Sequence, residues 1–229
     1  MNRDCMLSYL ADLEFHNERE WFHANKPAYR EALREFEALV ESLILEMAKI
    51  EPAMLNYRPK DLTFRLMRDT RFRKDKSPYN PSFRAHLSPA GKRAVPVGLY
   101  LKIQPGGRSI IGGGLFTDMF RDATLMVREY IADHGDEWEA ILHAPSFTKW
   151  FSLQGTALKN IPRGYDAAHP QADYTVCLLT ARELSDKVSF DLSETLSPLV
   201  GDLDGNGTAV CQVEQRILGS YANAFPPDQ

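Results

Sequence analysis

The sequence predicts an α+β fold, because helical patterns flank a central block of strands without regular alternation of strand and helix. The chain has 229 residues, of which 44% are apolar and 25% are charged, as in ordinary globular proteins. A chain of this composition can bury a sizeable core. We expect a single α+β domain over residues 1–190. Residues 191–229 are expected to be a C-terminal extension, packed on the same domain or partly loose.

The first predicted helical region covers residues 17–50. Asn17 and Glu20 fit the N-cap and N3 places of a capping box at its start. Further on, apolar residues recur at alternating spacings of four and three, which predicts a long amphipathic helix. This set is Tyr29, Leu33, Phe36, Val40, Leu43, Met47 and Ile50. Leu39 and Ile44 widen the apolar stripe beyond a coiled-coil seam, which favours a helix packed on a sheet.

A block of strand candidates separated by turn residues follows, from about residue 62 to residue 116. Four segments have strand character: TFRLMRDTRF, SFRAHLS, VGLYLKIQ and SIIGGGLF. The connections between them are KDKSPYNP, PAGKR and PGG. Successive strands joined by short loops predict an antiparallel meander, packed by the long N-terminal helix and by later helices.

Helical patterns return after the strands. We predict one helix over residues 118–133, a second that carries Trp138, and a short third at PSFTKWF. The segment NIPRGYDAAHPQADY is rich in turn residues, and TVCLLTA has the character of a further strand.

Charge, hydropathy and cysteine spacing limit the class of protein. The net charge of −4 is unlike that of a protein that binds nucleic acid over its whole surface. The N-terminal stretch has no apolar run of signal-peptide length, and no run approaches a membrane span. Cys5, Cys177 and Cys211 are widely spaced and odd in number, as expected of reduced thiols. We therefore expect a cytoplasmic protein without membrane association.

Positive charge is concentrated between residues 58 and 84, whereas the remainder of the chain is acidic. The cations of this segment are Arg58, Lys60, Arg65, Arg68, Arg71, Arg73, Lys74, Lys76 and Arg84. They stand against three acids, Asp61, Asp69 and Asp75. Such a concentration requires either a binding role or a structural one.

Arg68 is the residue of this segment that most needs a partner. Side chains alternate between the faces of a strand. One face would hold Phe64, Leu66, Arg68, Thr70 and Phe72, and the other Arg65, Met67, Asp69 and Arg71. The first face is the more apolar, so we expect it to face the core. A buried arginine needs a carboxylate, carbonyl groups or an anionic ligand at the edge of a cleft.

Our first hypothesis is that the block 65–79 binds or acts on a small anionic, phosphorylated ligand. The candidate ligand-binding residues are Arg65, Arg68, Arg71, Lys74, Lys76, Tyr79 and Gly113. Guanidinium groups hold phosphate bidentately, the lysines add mobile charge, and Tyr79 offers a hydroxyl or a stacking ring. Gly113 would offer backbone N–H groups to a phosphate. Asp69 is the catalytic candidate, either as a general base or as an orienter of arginine.

Two alternatives remain open from the sequence. The same block could bind nucleic acid, with Tyr79 and Phe83 stacking on bases. It could also be an internal ion-pair network in a non-catalytic interaction module. No histidine pair has zinc-protease spacing and no nucleophile motif is present, so no metal site is predicted. Cofactor, oligomeric state and the existence of a reaction are left open.

Five motifs occur in a fixed order: HNEREWF at 16–22, FRLMRDTRFRKDKSPYN at 64–80, GLYLKIQPGG at 98–107, GGGLF at 112–116 and NIPRGYDAAHP at 160–170. Together they resemble the family called domain of unknown function 2461, whose members are mostly bacterial. The resemblance covers roughly residues 5–190, implies a single α+β domain and supplies no catalytic residues. Arg73 stands where the family commonly has serine, and Phe116 where it commonly has tryptophan. The mixed cations and acids of the second motif favour the anion site.

Overall fold

The computed structural model describes residues 2–49, 51–89, 91, 99–114, 121–148, 152–154 and 179–184. These residues form helices and antiparallel strands, so the predicted α+β class is confirmed. They divide into two compact units. Of the described residues, the first unit contains those up to 91, together with 100–111 and 183–184. The second unit contains 99, 112–114, 121–148, 152–154 and 179–182.

The first unit begins with three helices: α1 (Arg3–Phe15), α2 (Arg19–Ala24) and α3 (Lys26–Met47). No helix is predicted from the sequence before residue 17, yet α1 buries Met6, Tyr9, Leu10 and Leu13 at helical spacing. The side chain of Asn2 caps α1 by accepting a 3.0 Å hydrogen bond from the backbone N–H of Cys5. The helical spacing of these apolar residues is visible in the sequence and could have predicted α1.

Helix α3 confirms the predicted amphipathic helix and its wide apolar stripe. Its buried residues are Ala32, Phe36, Leu39, Val40, Leu43 and Ile44. The ring of Phe36 stacks on that of Phe83 with centroids 5.2 Å apart and an interplanar angle of 17°. Both rings are 1% exposed, so this contact lies at the centre of the first unit's core.

A 3₁₀ helix (Pro52–Asn56) and α4 (Pro59–Leu62) lead from α3 to the strands. Three strands follow: β1 (Phe83–Leu87), β2 (Leu99–Ile103) and β3 (Ser109–Gly114). They lie side by side in that order and are antiparallel, which confirms three of the four strands of the predicted meander. In the turn between β2 and β3, Gly106 and Gly107 have φ values of 76° and 71°, which glycine adopts readily.

The first of the four predicted strands, at residues 63–72, is wrong. This segment forms only two isolated bridges, Thr63 with Ala85 and Met67 with Tyr79. It therefore changes partner along its length, pairing first with β1 and then with the residues just before β1. Pro78 and Pro81 flank the second partner and have no amide hydrogen to extend a ladder.

Burial along the same segment also differs from the prediction. Leu66 is buried, as expected, but Phe64 is 39% exposed and Phe72 is 94% exposed. The alternation of faces holds only where the segment pairs, near Leu66 and Arg68. Beyond Arg68 the chain leaves the sheet as a loop, so strand periodicity no longer decides which side chains are buried.

The second unit contains α5 (Arg121–Asp133), α6 (Gly135–Leu142), α7 (Pro145–Thr148), β4 (Ser152–Gln154) and β5 (Leu179–Leu184). The three predicted helices are confirmed over the residues described. Strands β4 and β5 are antiparallel, with Leu153 opposite Thr180. Part of the strand predicted at TVCLLTA lies in β5. The segment NIPRGYDAAHPQADY, Cys177, Cys211 and the extension at 191–229 lie outside the described residues.

No helix within the described residues is both long enough and apolar enough to cross a bilayer.

Candidate functional site

Residues 69–77 form a loop, here called the basic loop, that projects from the first unit. Two backbone hydrogen bonds close its base: Arg68 N–H to Pro78 O at 2.9 Å and Asn80 N–H to Leu66 O at 2.7 Å. Inside the loop, Lys76 Nζ donates to Thr70 O at 3.0 Å. Its own backbone and side chains thus hold the basic loop in shape although most of it is exposed.

The predicted need of Arg68 for a partner is confirmed. Its side chain is 23% exposed, and Nη1 donates to Asp75 Oδ2 at 2.6 Å. The other oxygen of Asp75 accepts from Ser77, from the hydroxyl at 2.6 Å and from the backbone N–H at 2.9 Å. The bond from the Ser77 hydroxyl, followed by that from Arg68, holds the pKa of Asp75 well below its usual value.

Asp69 and Arg71 form a second pair on the basic loop. Arg71 donates to the carboxylate of Asp69 through Nε at 3.0 Å and Nη2 at 2.6 Å, and through its backbone N–H at 3.1 Å. The side-chain bond lowers the pKa of Asp69 and raises that of Arg71. A carboxylate stabilised in its ionised form is a weak general base at neutral pH. The geometry therefore favours the role of arginine orienter for Asp69.

An open cleft of about 480 Å³ lies at the base of the basic loop, and we call it the arginine cleft. It is lined by Met67, Arg68, Asp69, Arg73, Asn80, Pro81 and Arg84. Three of these residues are cations. The one acid among them, Asp69, is already paired with Arg71.

Contacts with Phe64 and Arg65 hold the Arg84 side chain in the arginine cleft. It lies on strand β1, and its Nη2 donates to Arg65 O at 3.1 Å. Its guanidinium carbon lies 5.6 Å from the centroid of the Phe64 ring. Its Nε is buried and has no hydrogen-bond partner within the described part of the chain. The neighbouring backbone and ring thus fix the position of this cation.

Two further clefts adjoin the arginine cleft. The first, here called the Phe72 cleft, has a volume of about 630 Å³ and is lined by Arg68, Asp69, Phe72, Arg73, Lys74 and Asp75. The second, here called the helix cleft, has a volume of about 650 Å³ and lies between residues 17–23 and the basic loop. Arg68 lines all three clefts.

The helix cleft brings the first two sequence motifs together through Asn17. The Asn17 side chain donates to Tyr79 O at 2.9 Å and accepts from Tyr79 N–H at 3.0 Å. The predicted N-cap role of Asn17 is wrong, because the N-cap of α2 is Glu18. The amide is instead used to join the start of α2 to the end of the basic loop.

The candidate ligand-binding residues are not all brought together. Arg68 and Lys74 line clefts, and Lys76 lines the helix cleft while its amino group donates to a backbone carbonyl. Arg65 and Arg71 are exposed and line none of the three clefts. Gly113 lies in strand β3, in the part of that strand that belongs to the second unit.

Tyr79 and Phe83 were the predicted stacking rings for bases, and both are unsuited to this role. Tyr79 is 4% exposed and stacks on Phe22, with centroids 4.2 Å apart and planes at 16°. Phe83 is 1% exposed and stacks on Phe36. The nucleic-acid hypothesis in its predicted form therefore loses both of its stacking rings.

Three of the polar residues that line the arginine cleft were not among the predicted site residues: Arg73, Asn80 and Arg84. Arg84 alternates with the buried Phe83 and Ala85 along β1, so its side chain had to emerge on the other face of the strand. That signal was present in the segment SFRAHLS. Nothing in the local sequence indicates that Arg73 and Asn80 meet in one cleft, because the loop closure that joins them is tertiary.

His86 is the histidine nearest to this region in sequence. It is 4% exposed, and burial lowers its pKa, while a hydrogen bond with the backbone of Gly91 acts in the opposite direction. Its environment is that of a structural histidine. Within the described ranges, no three His, Cys, Asp or Glu side chains are grouped as metal ligands.

A protein-family model with the description "Conserved hypothetical protein (DUF2461)" matches residues 5–198. The match includes every residue that lines the three clefts. No curated protein and no solved structure matches the chain.

Proposed function

The chain belongs to the DUF2461 family of conserved hypothetical proteins, and we propose that it binds a small anionic, phosphorylated ligand in the arginine cleft. The observation that carries this proposal is the state of Arg68. Its half-buried guanidinium lines an open cleft and pairs with Asp75 through one nitrogen only, among the residues described.

Hydrogen-bonding capacity supports the proposal. A guanidinium has five N–H donors, and the contact with Asp75 uses one nitrogen of Arg68. Phosphate oxygens match the spacing of paired guanidinium donors and accept them bidentately. A phosphorylated ligand in the arginine cleft would therefore use donors that Asp75 does not.

The charge of the arginine cleft supports the same class of ligand. Arg73 and Arg84 add two cations, the first exposed on the basic loop and the second on β1, where it donates to Arg65 O. Asp69 does not offset them, because Arg71 occupies its carboxylate. Asn80 lines the same cleft, and its Oδ1 accepts a 2.7 Å hydrogen bond from the Ser82 hydroxyl, so its amide nitrogen is the group that offers donors to a neutral part of the ligand.

A structural ion-pair network is the second candidate. It is favoured by the pairing of every aspartate in the segment 58–84 with an arginine: Asp61 with Arg58, Asp69 with Arg71 and Asp75 with Arg68. These pairs are largely exposed, and exposed pairs contribute little to stability. The network accounts for the shape of the basic loop. It does not account for Arg73 and Arg84 in the arginine cleft, because none of these three aspartates pairs with them.

Thermal unfolding against a panel of anions tests the proposal. The panel contains inorganic phosphate, sugar phosphates, nucleotides, carboxylates and short single strands. A specific ligand at a hundredfold its dissociation constant raises the free energy of unfolding by about 2.7 kcal/mol, roughly 5–11 °C in Tm for this size. We expect such a shift for phosphorylated compounds, and we expect Arg68→Ala to abolish it while remaining folded.

Arg65→Ala is the matched control, because it removes an equal charge from the same segment at a residue outside the clefts. It should retain the ligand-induced shift. If both variants lose the ligand-induced rise in Tm equally, the anion is attracted by diffuse positive charge and does not bind at a defined site. If no anion raises Tm and Arg68→Ala melts far below the parent, the structural network is the better explanation. A shift specific to single strands that falls steeply with salt would identify a nucleic-acid site.

A further inference from the structure

Phe72 is the most exposed of the large apolar side chains in the described residues, with 94% of its surface open to solvent. It lies on the basic loop, between Arg71 and Arg73. The guanidinium carbon of Arg71 lies 5.7 Å from the centroid of its ring. The contact is at cation–π distance, and the high exposure means that much of the ring remains available.

Hydrogen bonds within the basic loop hold the backbone on both sides of Phe72. Lys76 Nζ ties Thr70 O from one side, and Arg73 N–H donates to Thr70 O at 3.3 Å. Asp69 holds the guanidinium of Arg71. These contacts hold the chain on either side of Phe72, whose ring is exposed to solvent. Covering an exposed apolar ring with an apolar or aromatic group of a ligand is favourable.

The position of Phe72 relates it directly to the arginine cleft. The Phe72 cleft and the arginine cleft share three lining residues, Arg68, Asp69 and Arg73. The two clefts are therefore neighbours on one surface of the first unit. One extended ligand can place an anionic group in the first cleft and a second group against the ring in the other.

We propose that the ligand carries a planar aromatic group beside its phosphate, as a free nucleoside monophosphate does, and that this group stacks on Phe72. The proposal rests on the proposed function of the arginine cleft and names its ligand class. Aromatic rings stack on planar bases, and each such contact at a protein surface adds measurably to affinity. Lys74, which also lines the Phe72 cleft, adds a cation to that cleft.

Calorimetric titration with three probes separates the two parts of the ligand. Adenosine 5′-monophosphate has the phosphate and the ring, ribose 5-phosphate has the phosphate alone, and adenosine has the ring alone. We expect the monophosphate to bind about tenfold more tightly than ribose 5-phosphate, since stacking on an aromatic side chain has about that effect. Adenosine should bind more weakly than either phosphorylated probe.

Variants at Phe72 identify the stacking ring. Phe72→Ala should weaken the binding of adenosine 5′-monophosphate about tenfold and leave that of ribose 5-phosphate unchanged. Phe72→Tyr should restore the affinity, because it retains a ring, and Phe72→Leu should not. All three variants should fold as the parent does, since the side chain is almost fully exposed.

The outcomes separate this inference from the proposed function. Arg68-dependent binding of both phosphates with equal affinity would overturn the stacking inference and leave the proposed function standing. Binding of neither phosphate would overturn both. A short single strand that binds more tightly than the mononucleotide, with an affinity that falls steeply with salt, would identify the ligand as a nucleic acid. That result would overturn the proposal of a free nucleotide.

Discussion

Replacing Asn17 with alanine removes the side chain that joins the start of α2 to the end of the basic loop. Its amide makes two hydrogen bonds, at 2.9 and 3.0 Å, to the backbone of Tyr79. Tyr79 is 4% exposed, so water has little access to the groups left behind. Deletion of one partner from a buried hydrogen bond costs more than the net value of the bond itself.

The size of the effect follows from these two contacts. Each lost hydrogen bond costs about 1 kcal/mol, and each unsatisfied buried group adds to that cost. We expect Asn17→Ala to lower the free energy of unfolding by about 2–4 kcal/mol, or Tm by roughly 4–16 °C for a chain of this length. Urea and thermal unfolding monitored by circular dichroism measure both quantities.

Asn25→Ala is the matched control. The Asn25 side chain donates one 2.9 Å hydrogen bond to Trp21 O, only four residues away along the helices. Its loss should cost about 1 kcal/mol or less, because the bond is local and water can replace it. Equal destabilisation by the two substitutions would refute the inference that Asn17 anchors the basic loop to α2.

Three further predictions concern the first unit. Phe83→Ala should lower the free energy of unfolding by about 3–5 kcal/mol in urea unfolding, and Phe15→Ala, at an 84% exposed ring, by no more than about 0.5 kcal/mol; similar losses would contradict the assigned core. Burial lowers the pKa of His86, so this histidine is protonated more readily in the unfolded chain than in the folded one. Stability should fall as the pH drops below about 6.5, and His86→Gln should flatten that slope; an unchanged slope refutes the assignment. The Asp75 pKa is lowered by Ser77 and then by Arg68. Its stabilising effect is therefore complete above the usual aspartate pKa and is lost as the pH falls through the lowered one. Asp75→Asn should be less stable than the parent in urea at pH 7 and equal to it in strong acid; a difference that persists in acid would contradict this.

The helices and strands with internal periodicity were predictable from sequence. Helix α3 and strand β2 bury residues at the spacing of their own secondary structure. Segment 63–72 has strand-like alternation too, but its pairing depends on a partner that is interrupted by prolines. Alternation within one segment does not show whether the segment it pairs with can form a continuous ladder of hydrogen bonds. A strand is therefore predicted where only two isolated bridges form.

The sequence predicts the chemistry of the candidate site, but it does not predict which residues line it. The need of Arg68 for a carboxylate followed from its apolar neighbours, and Asp75 meets it. Which other cations share a cleft with Arg68 depends on how the basic loop closes. Arg65 and Arg71 lie outside the clefts, and Arg73 and Arg84 line the arginine cleft in their place. Phe72 was assigned to the core, because strand alternation was extended past the point where the loop begins.

Direct titration of the first unit's arginine cleft tests the central claim. Inorganic pyrophosphate is the probe, and the parent protein is compared by calorimetry with Arg73→Gln and Arg65→Gln at low and physiological salt. Arg73 lines the arginine cleft and Arg65 does not, although both are exposed cations of the same segment. Saturable binding at one site that is lost in Arg73→Gln and kept in Arg65→Gln is the predicted result. Absence of binding, or equal weakening by both substitutions, would contradict a defined anion site in the arginine cleft.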